Sequence, residues 1–125
     1  MRILVTGHKS GLGKYLFENF PDAIGQDRET SEEEKEKIKE DGVDVIIHCA
    51  FNSSWNVTSE SLFSYIQDNV FLTRELMSIP HQKFIFVSSV DVYPRGSQTH
   101  LEDEIIDVNA VEGIYAMTKL ISESM

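Results

Sequence analysis

The sequence predicts a doubly wound α/β domain, a parallel sheet of about four strands with helices on both faces. Short apolar runs at residues 3–5, 43–49 and 83–88 alternate with segments of helical period. The middle run, VDVIIHC, is apolar and β-branched almost throughout, which suits a strand covered on both sides. A glycine-rich turn, Gly7-His8-Lys9-Ser10-Gly11-Leu12-Gly13, joins the first run to the first helical segment.

Taken in order, Ile3, Leu4 and Val5 read as a strand that stops at Thr6-Gly7. Leu12, Leu16 and Phe20 follow at helical spacing until Pro21-Asp22 breaks the helix, and residues 23–26 form a short second strand ending at Asp27. Ser31 and Glu34 make a capping box for a charged, solvated helix over 31–41, whose one clear apolar residue is Ile38. Gly42 ends it before the strand at 43–49. From 58 to 78 the apolar stripe Leu62, Ile66, Val70, Thr73, Met77 predicts a long helix, stopped by Pro80. The run KFIFVS at 83–88 predicts another buried strand, followed by a loop containing Pro94 and Gly96. Tyr115, Met117, Leu120 and Ile121 place a last helix at 113–125.

Composition removes several function classes. The chain has 125 residues, 41% hydrophobic and 26% charged, the balance of one ordinary globular domain. Its single cysteine, Cys49, cannot form an internal disulfide, and Cys49, His8, His48, His81 and His100 show no zinc-ligand spacing. No metal site and a reducing, cytoplasmic setting are expected. No segment reads as a signal peptide or membrane span. Twenty-one acidic against eleven basic residues give a net charge of −10, much of it within 29–41, which disfavours nucleic acid as a partner.

The chemistry concentrates at two places. The first is the glycine turn, where backbone N–H groups and a helix N-terminus can meet a pyrophosphate. Gly7 permits the tight turn, Gly11 keeps side chain away from the phosphate, and Gly13 lets the helix approach the sheet. Asp27, twenty residues after Gly7, stands where an acid accepts hydrogen bonds from an adenosine ribose. Lys9 and Arg28 could face a ribose 2′-phosphate while Asp27 would repel it, so NAD is favoured and NADP stays open. A purely structural glycine turn and an ordinary strand-end aspartate are the alternatives.

The second is Tyr115 and Lys119, spaced i,i+4 so that both lie on one helix face. A tyrosine needs a neighbouring cation to exchange protons near neutral pH. Ser89 ends the KFIFVS strand, where open α/β sheets carry ligand-contacting groups, and its hydroxyl could bond the oxygen on which Tyr115 acts. A solvated helix pair and a turn serine are the plainer readings.

Together these residues resemble the extended short-chain dehydrogenase/reductase family, the NAD-dependent sugar-nucleotide epimerase and dehydratase group. The resemblance runs through TGHKSGLG at 6–13, DVIIHCAF at 44–51, QDNV at 67–70, KFIFVSSVDVYP at 83–94 and YAMTKLISE at 115–123. It implies a Rossmann-type sheet binding NAD or NADP, a nucleotide-sugar substrate, and Ser89, Tyr115 and Lys119 as the catalytic set. Gly7, Lys9, Ser10, Gly11, Leu12 and Gly13 would form the phosphate loop, and Asp27 with Arg28 the adenosine-ribose contacts. Cys49, Ala50 and Phe51 would lie over the riboses, Tyr115 and Lys119 at the nicotinamide ribose. Asn69 would support the site through backbone contacts. The helices at 58–78 and 113–125 match the pair with which such proteins form a two-fold dimer.

Departures from the family pattern carry expectations too. The glycine spacing is that of the shorter one-domain branch, with Ser10 where extended members place a glycine. Sixteen residues between Asp27 and Asp44 are too few for the usual additional strand, so one sheet edge is expected to be missing. Val90-Asp91 replaces the acidic pair of 4,6-dehydratases, leaving epimerase or reductase. The chain stops where a substrate domain would follow, so residues 1–125 are expected to be the dinucleotide-binding part of a longer protein. A truncated, non-catalytic binding module is the rival.

Overall fold

A computed structural model describes residues 1–125, arranged on a four-stranded parallel sheet of order β2-β1-β3-β4. The elements are β1 (Ile3–Thr6), α1 (Gly11–Asn19), β2 (Ile24–Gln26), α2 (Glu32–Asp41), β3 (Val45–His48), α3 (Leu62–Ile66), a π turn (Gln67–Phe71), α4 (Leu72–Met77), β4 (Lys83–Phe86) and α5 (Gly113–Glu123). Short 3₁₀ turns at Val90–Val92 and Val108–Ala110 interrupt the segment before α5. β1 pairs with β2 on one side and β3 on the other, Leu4 facing both Ile24 and Ile46. The chain thus changes direction across the sheet between β1 and β3, and a crevice opens beyond their C-terminal ends, where such sheets place ligands.

Strand alternation sorts the core into two layers. Leu4 and Ile46 point to one face with Ile38, Val43, Leu76 and Ile79, so α2 and α4 cover it. Ile3, Val5 and Ile47 point to the other, under Leu16, Phe17 and Phe20 of the α1 region. Leu4 and Ile46 are fully buried, worth about 1.5–3 kcal/mol each relative to exposure. The capping box is present: Glu34 N–H donates to Ser31 Oγ at 3.2 Å and Ser31 N–H to Glu34 Oε2 at 3.1 Å. No helix is long and apolar enough to cross a membrane.

Four expectations need correction. The helix expected over 58–78 begins at Leu62 and passes through the π turn, so its buried face is Tyr65, Asn69, Thr73 and Leu76. Only Thr73 of the expected stripe is buried, and Leu62 is exposed, because the wider turn rotates the helix and sets polar side chains against the sheet. Helix α5, a regular α-helix packed on the π turn, likewise buries Ala116, Thr118, Lys119 and Ser122 while Ile121 is exposed. Strand β4 is not covered on both sides: it is an edge strand, and Ile85 is 38% exposed. Leu12 faces the crevice and not the core, being 51% exposed. The other sheet edge is β2, with no strand beyond it, as the short spacing between Asp27 and Asp44 implies.

Candidate functional site

A cleft of about 910 Å³ lies beyond β1 and β3. Gly7, Lys9, Ser10, Gly11, Leu12, Gly13, Asp27, Arg28, Cys49, Ala50 and Phe51 all line it. The glycine turn is shaped by backbone crowding. Gly7 has φ +70° and packs so closely that a Cβ would stand 2.9 Å from Ala50 N. A Cβ on Gly13 would stand 2.4 Å from Gly7 O, so α1 can reach the turn only with glycine there. Gly11 differs: at φ +52° its absent side chain would project into open space.

Helix α1 begins at Gly11 with its N-terminus uncapped. Ser10 makes no side-chain cap and no acid stands in the first turn. The leading N–H groups and the positive end of the helix dipole therefore face the cleft unsatisfied, which fits a pyrophosphate of a dinucleotide.

At the other end of the cleft the charges are paired. Lys9 Nζ lies 2.6 Å from Asp27 Oδ2 and also bonds Glu29, while Arg28 pairs with Asp68. The Lys9 ammonium holds the Asp27 carboxyl down to about 2, helped by the Glu29 N–H, and the two carboxylates raise Lys9. Asp27 also accepts from Glu29 N–H at 2.8 Å and Thr30 N–H at 3.1 Å, fixing the carboxylate at the rim.

Lys119 is only 4% exposed, so the Tyr115–Lys119 pair is not a solvated helix pair. Its ammonium donates to Val87 O at 2.6 Å and sits 3.8 Å from the centre of the Phe51 ring, 4.8 Å from Phe86 and 5.9 Å from Tyr115. Burial lowers it to about 8. The Tyr115 ring meets Phe51 edge to face, centroids 5.5 Å apart. Ser89 caps the 3₁₀ turn at Val90–Val92, its Oγ accepting from Asp91 N–H at 3.2 Å, and α5 packs against that turn. The neighbouring Ser88 Oγ is buried with no partner.

Behind these residues runs a buried hydrogen-bond chain that sequence reasoning missed, Asn69 excepted. Thr73 Oγ1 donates to Asn69 O at 3.0 Å or Ser122 Oγ at 3.4 Å, so it accepts from His48 Nε2 at 3.0 Å. His48 is therefore the neutral Nε2–H tautomer, and Nδ1 accepts from the Thr6 hydroxyl at 2.7 Å. Thr6 Oγ1 in turn accepts from Ala50 N–H at 3.1 Å, and Ser122 Oγ donates to Asn69 O at 3.0 Å. Asn69 clamps the backbone of Asn52, accepting from its N–H at 2.6 Å and donating to its carbonyl at 2.9 Å. Asp68, also on the π turn, accepts from the Asn52 amide at 2.9 Å. A histidine and two threonines at otherwise apolar positions were the available signal.

Burial lowers His48 to about 4 from its ordinary 6.5, with the Lys119 charge acting the same way. Between those values the unfolded chain binds a proton that the folded chain refuses, so stability is lost as pH falls through this window. The full loss is about 3 kcal/mol by pH 4. Urea unfolding at pH 7, 6 and 5 should show most of this slope in the natural chain and little of it in His48→Leu. Equal slopes would remove His48 as its source.

The chain belongs to the NAD dependent epimerase/dehydratase family, whose model matches residues 3–125. No curated protein sequence matches it. Among solved structures it is similar to UDP-glucuronic acid 4-epimerase from Bacillus cereus in complex with NAD, with 23% identity and TM-score 0.74 over 99% of this chain and 50% of that one. It is similar also to dTDP-4-dehydrorhamnose reductase from Bacillus anthracis in complex with NADP, with 20% identity and TM-score 0.76 over 98% of this chain and 48% of the other. The chain spans about half the length of these structures.

Proposed function

We propose that this chain is the dinucleotide-binding and proton-transferring part of an NAD(P)-dependent epimerase or reductase acting on a nucleotide sugar, the whole protein being longer. The observation that carries this reading is the placing of the buried Lys119 ammonium beside Tyr115, next to a cleft floored by an uncapped helix N-terminus. A nicotinamide bound there supplies hydride transfer. The N–H groups at the start of α1 hold pyrophosphate, and Asp27 accepts from the adenosine ribose. Tyr115 Oη exchanges a proton with the sugar hydroxyl or carbonyl, Ser89 Oγ orients that oxygen, and Lys119 favours the phenolate and holds the nicotinamide ribose. Asn69, Cys49 and Ala50 keep the floor of the ribose site in place.

NAD is the preferred cofactor in this reading, because Lys9 and Arg28 are already matched by Asp27, Glu29 and Asp68 and offer no free charge to a 2′-phosphate. Calorimetry with NAD⁺ and NADP⁺ tests both points. NAD⁺ should bind more tightly, and Asp27→Ala should weaken NAD⁺ several-fold while narrowing the preference, since Lys9 is then held by Glu29 alone. Absence of binding by either dinucleotide would end the proposal, and an unchanged ratio would remove Asp27 and Lys9 from cofactor choice.

We infer a homodimer as well. Phe63 and Ile121 lie exposed on α3 and α5, leaving apolar surface that the domain's own sheet does not cover. The net charge of −10 opposes association, so the dimer fraction should grow with ionic strength. Sedimentation at low and high salt checks this, a strict monomer in both being the contrary result.

A further inference from the structure

Lys119 is a buried cation without a counter-ion. It forms no salt bridge anywhere in the chain, and one carbonyl, Val87 O, accepts from it. Taking an ammonium out of water costs several kcal/mol unless something replaces the lost hydration. Two aromatic rings do part of this, and they are not equivalent. The Phe51 centroid is 3.8 Å from Nζ, within van der Waals reach, while the Phe86 centroid is 4.8 Å away. The Phe51 ring also meets Tyr115 edge to face, so one side chain touches both members of the pair.

We propose that Phe51 is a positioning residue whose ring face stands in for a counter-ion to Lys119 and keeps its charge beside Tyr115. The inference deepens the reaction proposed above and rests on Lys119 serving it. A carboxylate in the same place would hold the ammonium more tightly but cancel its field. The negative face of a ring stabilises the cation and leaves a full unit charge to act on the Tyr115 oxygen and on ribose hydroxyls. The backbone explains how Phe51 comes to be there. It follows Ala50, whose N–H is tied to Thr6, and precedes Asn52, whose N–H and carbonyl are tied to Asn69, so the ring is fixed between two anchors.

The ionisable groups facing Lys119 are few. Cys49 lies at the end of β3 and Glu123 one turn along α5; both favour its charged form, though Cys49 is itself raised by burial. Buried His48 is the neutral tautomer, and Tyr115 shares the helix face. The depressed position of Lys119, about 8, shows that these partners offset its desolvation only in part, so loss of the ring face is expected to be visible in its titration.

The test is the titration of Lys119 followed by side-chain ¹⁵Nζ nuclear magnetic resonance on the chain without dinucleotide, assigned with Lys119→Arg. Phe51→Leu keeps an apolar filler of similar burial and removes the quadrupole. Its midpoint should fall by about half to one and a half pK units, the worth of a desolvated cation–π contact. Phe51→Trp should restore it, and Phe86→Leu should shift it less. A ring-fluorinated phenylalanine at 51, which keeps shape and fold but drains the ring face, covers the case in which Phe51→Leu does not fold. It too should lower the midpoint. A midpoint unmoved by either replacement, or moved as much by Phe86→Leu, would overturn the proposal. Because no dinucleotide is present, this outcome is independent of the calorimetry: a shifted midpoint with no NAD⁺ binding would retain the device and remove the reaction.

Discussion

Turnover of the whole protein should fall at least about a hundredfold in Tyr115→Phe, equivalent to about 2.7 kcal/mol of lost transition-state stabilisation, with dinucleotide affinity nearly unchanged. The substitution is unusually clean here. The hydrogen bonds recorded at this turn of α5 use the Tyr115 carbonyl and the Thr118 and Lys119 side chains, and none uses the Tyr115 hydroxyl. The edge-to-face contact with Phe51 survives in phenylalanine, so packing is kept. Only the hydroxyl oxygen is lost. Steady-state kinetics with the nucleotide sugar, alongside calorimetry with NAD⁺, would separate the two effects, and wild-type turnover would remove Tyr115 from the mechanism. Lys119→Met is the contrasting variant: it should damage both affinity and turnover, because in the proposed reaction the one ammonium serves phenol and ribose.

The second large effect is expected at Gly11. Gly11→Val should reduce dinucleotide affinity at least about a hundredfold, because its side chain would rise into the open space over the helix N-terminus. A β-branched residue at φ +52° is also strained, by about 1–2 kcal/mol, which urea unfolding would register separately. The comparison with Gly13 makes the experiment specific. A side chain at 13 would strike Gly7 O at 2.4 Å, so Gly13→Val should lose the turn itself and much of the fold. A folded Gly11→Val chain that binds normally would move the pyrophosphate away from α1.

These two glycines show what was legible in the sequence. Position after a strand and before a helix was enough to find the turn, and the capping box at Ser31 and Glu34 located α2 because both signals are local. The long helix was harder. A stripe of apolar residues assumes that what faces the core is apolar, and here Asn69, Thr73 and Ser122 face it, each with a partner far away in sequence, Asn52, His48 and Asn69 respectively. Hydropathy cannot register that satisfaction, and the π turn shifts the helical period without leaving any mark in composition. His48 is the same case on a strand: inside VIIHC it looked like one polar interruption, while its two ring nitrogens join β1 to α4. The ion pairs at the cleft rim were half visible, since Lys9, Asp27 and Arg28 were evident as charges but Glu29 and Asp68 as their partners were not.

The chain between β3 and α3 has no regular secondary structure at Cys49 to Asn52, yet it is bound as firmly as a strand. Ala50 N–H ends on a threonine, Asn52 N–H on an amide whose residue is fully buried, and the Asn52 carbonyl returns to that same amide. Such a loop has no private way to open, because releasing either amide means disturbing Thr6 or Asn69 and with them the sheet or the helix. The amide hydrogens of Ala50 and Asn52 should therefore exchange with solvent deuterium as slowly as those of β1 and β3, whereas the loop at 95–99 exchanges at once. A cleft wall of this kind keeps its shape whether or not the cleft is filled, and a ligand entering it spends none of its binding free energy on ordering that side.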